Sequence, residues 1–238
     1  MSGPMTGVRI VELGQMIAVP AATHLLATQG AEVVKVENVE GGDDLRRYGS
    51  SKNGMSGWFA NANAGKRAIA LDLDAQDGKD VLAALIDRAD VFVQGFRPGS
   101  VDRLGLGYDT VAGRNPRLVY VSASGFGADG PYAGRPVYDP IIQAVGGWAG
   151  GQTLVDGSPS LVRGMVADKV AAMTVAQAIT AALHARGVHG EGQHVEVSML
   201  EANLAFNWPD VMMHETVLDD DALHLPKLLC SVRLFEGN

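Results

Sequence analysis

The sequence predicts an α/β fold: an open, doubly wound, mostly parallel sheet. Two observations carry that prediction. Short runs rich in Val and Ile alternate with helical stretches along most of the 238 residues. The first three, "VRIVEL" (8–13), "PAATHLLATQG" (20–30) and "AEVVKVE" (31–37), have the length and order of a βαβ unit with a right-handed crossover.

Each later segment extends the pattern. Pro20 sits in the first turn of the first helix and Gly30 ends it. Residues 38–66 are long, polar and glycine-rich, and read as a functional loop. "KRAIALDL" (66–73) reads as a strand. Residues 74–89 form an amphipathic helix with Val81, Leu82, Leu85, Ile86 and Ala89 on one stripe. "DVFVQGF" (90–96) is the next strand, followed by a turn where Ser100 is placed to cap a short helix. "PRLVYVSASGFG" (116–127) is another strand, entered by a short helix near 108–115. The helix expected over 168–186 is apolar nearly all round, so it should be buried and should stop at Gly187. Residues 193–199 alternate as a strand, and a further helix begins at 200. Past about residue 205 the periodicity weakens, and "DDD" (219–221) and residues 224–238 read as a chain leaving its domain. The expected division is a large domain over 1–205 and a connecting segment over 206–238.

Composition narrows the function classes. Hydrophobic residues make up 47% and charged residues 19%, as in a globular protein. The net charge of −8, with no Lys/Arg cluster, argues against a nucleic-acid partner. Cys230 is the single cysteine, which removes intrachain disulfides and two-thiol metal or redox motifs. The first residues lack a secretory pattern, and the longest apolar run, 170–183, is interrupted by Thr174, Gln177 and Thr180. It falls short of the ~18 residues of a membrane span. A soluble, reducing compartment, the cytoplasm, is therefore expected, with no membrane partner.

Common cofactor motifs do not occur. "GQMIAVPAA" follows the first strand where a dinucleotide fold carries G-x-G-x-x-G. The chain has no G-x-x-x-x-G-K-[ST] loop and no G-x-S-x-G elbow. His184, His189 and His194 recur at five-residue intervals, which does not gather them on one helical face, so no metal site is expected.

Three places are chemically suggestive. Arg97 and Arg103 follow a strand, where open α/β sheets bind ligands and guanidinium forks suit phosphate; they equally suit a surface turn. Asp139, after Tyr138, precedes an apolar helical run and reads as a first-turn acid or a site carboxylate. Asp168 opens the long helix as a cap or as a carboxyl perturbed by apolar surroundings.

Several ordered segments together carry a resemblance: "GVRIVELG", "GAEVVKVE", "GKRAIALDL", "GFRPGSVDRLGLGYD", "NPRLVYVSASGFGADGPY", "VYDPIIQAVGG" and "ADKVAAMTVAQAITAALHARGVHGEGQHVEVSMLEA". Over about residues 7–205 the chain resembles the N-terminal portion of class III coenzyme A transferases, a family that includes alpha-methylacyl-CoA racemases. The resemblance implies a Rossmann-like large domain, with the family's small domain and C-terminal return missing from this chain. It also implies an interlocked homodimer, no tightly bound cofactor, and coenzyme A or acyl-CoA as substrate beside a carboxylic acid acceptor. The family nucleophile falls on Asp168, which the helix N-terminus would stabilise as an anion. CoA contacts fall on Ile17, Ala18, Asn38, Leu71, Asp72, Leu73, Asp74, Gly95, Phe96, Arg97, Arg103, Arg135, Pro136, Val137 and Tyr138. The chain departs from the family pattern at Gln15 and Ile17, at Asn38 (commonly arginine or proline), at Asp74 (often lysine) and at Gly95 (usually asparagine). The racemase histidine falls on Tyr138, and a phenol is a poor base at neutral pH, which favours transfer over racemisation. A racemase or epimerase and a non-catalytic CoA-binding subunit stand as the alternatives.

Overall fold

The computed structural model describes residues 3–152, 154, 156–213, 215–218 and 223. The expected departing segments at 219–221 and 224–238, with Cys230, lie outside the described residues. The elements in order are β1 (Arg9–Leu13), α1 (Ala18–Thr28), β2 (Glu32–Asn38), β3 (Ser51–Lys52), β4 (Met55–Ser56), α2 (Gly57–Asn63), β5 (Arg67–Leu71), α3 (Gln76–Ile86), β6 (Val91–Gln94), α4 (Ser100–Arg103), α5 (Tyr108–Ala112), β7 (Val119–Ser124), α6 (Asp139–Val145), α7 (Trp148–Gly151), α8 (Val166–His189), β8 (Gln193–Ser198) and α9 (Met199–Val211).

Six strands form one sheet in the order β5-β2-β1-β6-β7-β8. All of its ladders are parallel. Numbered among themselves, these strands run 3-2-1-4-5-6, the doubly wound order. The order reverses between β1 and β6, so the loops leaving those two strands diverge and open a crevice at their carboxyl ends.

The alternation of side chains along each strand divides the core. On one face, Ile10, Val33, Val91, Val93, Val119 and Val121 pack under α1 and α8, meeting Val19, Ala22, Leu26, Ala172, Val175 and Ile179. On the other face, Val11, Leu13, Val36, Phe92 and Tyr120 meet Leu82 and Ile86 of α3, Val101 of α4 and Val111 of α5. Parallel strands covered on both faces explain the near-continuous apolar runs in the sequence.

The long helix α8 differs from its expected form. It starts two residues earlier than expected, at Val166, and runs through Gly187 to end at Gly190, whose φ of 86° suits a left-handed C-cap. It is buried along one side only, since Met173, Gln177, Ala181, His184 and Val188 form an exposed stripe. By length and composition α8 would pass for a membrane span, with a hydropathy of 1.3 over its best window, contrary to the reading of its interrupted apolar run. Its buried side packs on α1 and the sheet as a core helix. Ser100 is another difference. Gly99 is the N-cap of α4, and the Ser100 hydroxyl instead accepts a hydrogen bond from Arg103. Helix α9 continues across residue 205.

Residues 38–66 are not an open loop. They hold a 3-10 turn over Asp44–Arg47, the β3–β4 hairpin and α2. A buried ionic cluster ties them to the sheet. Glu12 on β1 and Lys35 on β2 are fully enclosed beneath α1, with Nζ to Oε1 at 2.8 Å. Lys66 reaches Glu12 Oε2 at 2.7 Å and also donates to Pro20 O and Asn63 Oδ1. The Thr23 hydroxyl donates to the same carboxylate. Lys35 Nζ also donates to Gly14 O at 2.7 Å and lies 2.9 Å from Asp43 Oδ2, an ion pair off the hydrogen-bonding angle. Burial alone would raise the Glu12 carboxyl, but the charges of Lys35 and Lys66 outweigh it and hold Glu12 below its ordinary range. For Lys66 burial wins, and its ammonium is pulled down to about 8. Two anions and two cations leave the cluster neutral, while breaking one buried pair would cost about 3–5 kcal/mol.

Where β1 leaves the sheet, helix and strand approach closely. A Cβ on Gly14 would meet Val19 Cγ1 at 2.5 Å, and one on Gly95 would meet Val19 Cγ2 at 3.0 Å. Gly14→Ala should therefore lower the free energy of unfolding by about 1–3 kcal/mol through overpacking. A denaturant titration that leaves the midpoint unchanged would show that Val19 gives way freely.

Candidate active site

The crevice at the strand-order reversal is a cavity of about 390 Å³. Its walls come from the carboxyl ends of three strands and from the starts of four helices, α1, α6, α8 and α9. Gln15, Met16, Ile17, Ala18 and Val19 follow β1; Gly95, Phe96, Arg97 and Pro98 follow β6; Ala123, Ser124 and Gly125 close β7. Ala133, Arg135, Pro136, Val137, Tyr138, Asp139 and Pro140 lead into α6, and Met165, Asp168 and Met199 complete the lining.

Asp168 is the third residue of α8, not its cap; Met165 holds the N-cap position and makes no side-chain cap bond. The acid that caps this helix comes from elsewhere. Asp139, the first residue of α6 and only 2% exposed, accepts the Asp168 backbone N–H at Oδ2, 2.9 Å away. Its Oδ1 accepts from Gln143 Nε2, and Gln143 Oε1 accepts from Val162 N–H. From the other side, Asn203 of α9 donates to Ala167 O at 3.1 Å and is itself held by Trp148 Nε1. The backbone of the first turn of α8, which carries Asp168, is thus held by side chains of α6 and α9, with Trp148 of α7 bracing Asn203.

Among the described residues, the Asp168 carboxyl accepts no hydrogen bond. Burial pushes its pKa up to about 7, the Asp139 carboxylate adds to the rise, and Lys169 opposes it. This corrects the expectation of a carboxylate stabilised as an anion by the helix end. Desolvation and a like charge leave the group poised between acid and anion near neutrality.

The opposite wall is strained. Met16 has φ of 61°, a left-handed conformation that costs a residue with a Cβ about 1–3 kcal/mol. Asp43 Oδ1 accepts the Met16 N–H at 3.0 Å and the Leu45 N–H at 2.9 Å. Helix α1 begins beside it without a side-chain cap.

Of the residues singled out from the sequence, the cavity gathers Asp168, Ile17, Ala18, Gly95, Phe96, Arg97, Arg135, Pro136, Val137 and Tyr138. Tyr138 is 70% exposed at its rim. Asn38, Leu71, Asp72, Leu73, Asp74 and Arg103 do not line it. Asn38 and Leu71 pair as the last residues of β2 and β5, on the same edge of the sheet, and Asp72–Asp74 continue from that end. Arg103 is exposed on α4. Sequence reasoning did not select Met16, Val19, Ser124, Gly125, Met165 or Met199. The "SASG" ending of β7 was the one local signal available, since a strand that ends in small residues leaves room for a ligand.

The carboxyl pair makes a test that needs no substrate. A carbon-13 titration of Asp168 should give a midpoint near 7. Asp139→Asn keeps an oxygen for the Asp168 N–H but removes the like charge, so the midpoint should fall. The sign for stability follows from the raised pKa. The folded chain binds this proton more tightly than the unfolded chain, so the group's stabilising contribution is complete below the ordinary value of 3.8 and is lost as pH rises through about 7. A midpoint unmoved by Asp139→Asn would separate the two carboxyls electrostatically.

Known proteins share the sequence pattern and the fold of this chain. The sequence matches the family described as CoA-transferase family III over residues 5–224. Acetyl-CoA:oxalate CoA-transferase of Acetobacter aceti is 38% identical over 205 residues, covering 86% of this chain and 53% of the relative. Succinate–glutarate CoA-transferase of Agrobacterium fabrum is 36% identical over 209 residues, covering 85% and 52%. The crystal structure of a CAIB/BAIF family protein from Brucella suis shares the fold with a TM-score of 0.86 and 32% identity, over 91% of this chain and 58% of that one. The chain spans about half the length of the curated relatives it matches. With a family match over nearly all of its sequence, the chain belongs to CoA-transferase family III.

Proposed function

We propose that this chain carries the nucleophile of a coenzyme A transferase that moves CoA from an acyl-CoA donor to a free carboxylic acid. The observation that supports it most is the Asp168 carboxyl in the crevice at the strand-order reversal, on a helix turn whose backbone Asp139 holds, with Arg97 and Arg135 on the same cavity. A pKa near 7 leaves a substantial fraction of Asp168 ionised at neutral pH, and that anion is the attacking form.

In this reading a carboxylate oxygen of Asp168 attacks the thioester carbonyl. The carbon–sulfur bond breaks, CoA leaves as thiolate, and a mixed anhydride forms on the enzyme. The thiolate then attacks the aspartyl carbonyl and displaces the donor acid, leaving an enzyme–CoA thioester. The acceptor carboxylate attacks that thioester and releases the thiolate, which finally attacks the acceptor's acyl carbon and frees Asp168. The exchange is divided into steps that each involve one tetrahedral intermediate. The Gly95 N–H is already donated to Leu13 O, so backbone N–H groups at the other glycine-bearing strand end, around Gly125, are the candidate oxyanion donors.

The CoA moiety is assigned to Ile17, Ala18, Gly95, Phe96, Arg97 and Arg135–Tyr138 around the cavity. It continues along the sheet edge to Asn38, Leu71–Asp74 and Arg103. Guanidinium groups suit its phosphates. Residues 1–205, together with the rest of α9 to Val211, whose Asn207 donates to Gly146 O, act as the large, CoA-binding domain. The same reading includes an interlocked homodimer, a cytoplasmic location and no tightly bound cofactor.

Incubation with acetyl-CoA or succinyl-CoA, followed by intact mass measurement, should show a covalent adduct. Hydroxylamine should discharge it, and Asp168→Ala should abolish it while leaving the fold intact. Exchange of the alpha proton without an adduct would instead establish a racemase. CoA binding with neither outcome would establish a non-catalytic CoA-binding chain.

A further inference from the structure

The buried ionic cluster is more than charge compensation, because its members grip the wall of the cavity. Lys35 holds the Gly14 carbonyl, where β1 ends, and Asp43 holds the N–H of the strained Met16 two residues later. Both side chains are about 1% exposed. Asp43 also accepts the Leu45 N–H. Its own N–H donates to Glu37, which is paired with Arg46. The anchor is therefore fixed from β2 and from the 3-10 turn at once.

The contact extends across the cavity. Ile17, the residue after Met16, packs in a cluster with Leu45, Phe59 and Ala62. Met16 and Met165 pack against the same cluster, and Met165 is the N-cap of the helix that carries Asp168. Among the described residues, the bond to Asp43 is the one hydrogen bond made by the N–H of Met16, whose φ is 61°. A strained conformation persists only where its surroundings fix it.

We propose that Asp43 is a positioning residue: it holds Met16 in the left-handed conformation and so sets the β1–α1 wall, and through Ile17 and Met165 the start of α8, relative to Asp168. The proposal rests on reading the cavity as the transferase site. Asp43 touches no reacting atom; its effect passes through the loop.

The test compares two charge-balanced double variants of the full chain. In both, Lys35→Met removes the cation that Asp43 neutralises, and Glu12 keeps Lys66. Adding Asp43→Asn retains an oxygen for the Met16 N–H; adding Asp43→Ala does not. Both double variants lose the Lys35 bond to the Gly14 carbonyl, so their rates of Asp168 adduct formation, with acetyl-CoA as the probe, are compared with each other rather than with wild type. The Ala double variant should be slower by about ten- to a hundredfold at equal circular dichroism, the range a small misplacement of reacting groups produces. Amide hydrogen exchange should show the Met16 and Leu45 N–H groups opening faster only in the Ala double variant. Equal adduct rates, or equal exchange, would overturn the proposal. A merely structural role would destabilise both variants without separating their rates. If either double variant fails to fold, exchange in the wild-type chain decides: the Met16 amide should be protected as strongly as the β1 ladder, and exchange at loop rates would overturn the proposal. A wild-type chain that forms no adduct would refute the transferase reading, while the exchange contrast would still decide whether Asp43 holds the loop.

Discussion

A carboxylate inside a sheet must be neutralised, and Glu12 imposes that requirement on the whole N-terminal half of the chain. It lies on the first strand, beneath the first helix, with no route to water. Lys35 meets it from β2 and Lys66 from the start of β5, so the charges join the segments on both sides of the 38–66 excursion. A pair left incomplete would cost several kcal/mol, a large fraction of what a domain of this size has to spare. The excursion must therefore fold back over the sheet, and in doing so it delivers Asp43 and Leu45 to the loop that leaves β1. Two apolar faces set the layers, and one ionic cluster sets where the crevice wall stands.

The second acid pair works in the opposite sense. Asp139 and Asp168 are brought together by a backbone hydrogen bond, and among the described residues neither carboxyl is ion-paired. Asp139 satisfies the helix end that Asp168 was expected to cap, which frees the Asp168 carboxyl from that duty. The acid that stabilises the helix and the acid exposed to the cavity are different residues. That division lets one be locked by Gln143 while the other remains without a hydrogen-bond partner among the described residues.

The sheet was legible because its strands are buried on both faces and so read as unbroken Val and Ile runs. Strand bounds agree within a few residues, and the chain order of strands and helices led directly to a doubly wound sheet. Helix ends were less legible. Gly187 looked like a stop, yet a glycine inside a long helix costs only about 1 kcal/mol, and packing carries α8 past it to Gly190. Val166 and Ala167 hid the true start of α8 because apolar residues give no capping signal. Residues 38–66 looked like a loop because their contacts are with partners far away in sequence. The charges in "IVELG" and "VVKVE" were the available hint, since a charged side chain in the middle of a buried strand requires a partner. The site was legible in its pieces: Gly95–Arg97, Arg135–Tyr138 and Asp168 stood out in the sequence, and the fold brings them to one cavity. The Asp139–Asp168 coupling was not, because it depends on a distance that no spacing in the chain encodes.

The cavity walls are drawn from residues as far apart as Gln15 and Met199, and no single stretch supplies more than a fraction of them. A partly folded chain would contain each piece without containing the site. Any ligand that fits the cavity therefore recognises the completed tertiary structure and has no comparable affinity for the unfolded chain. At a concentration about a hundredfold above its Kd, such a ligand shifts the folding equilibrium by roughly 2.7 kcal/mol. Occupancy of the crevice and survival of the fold are thus two readings of one equilibrium.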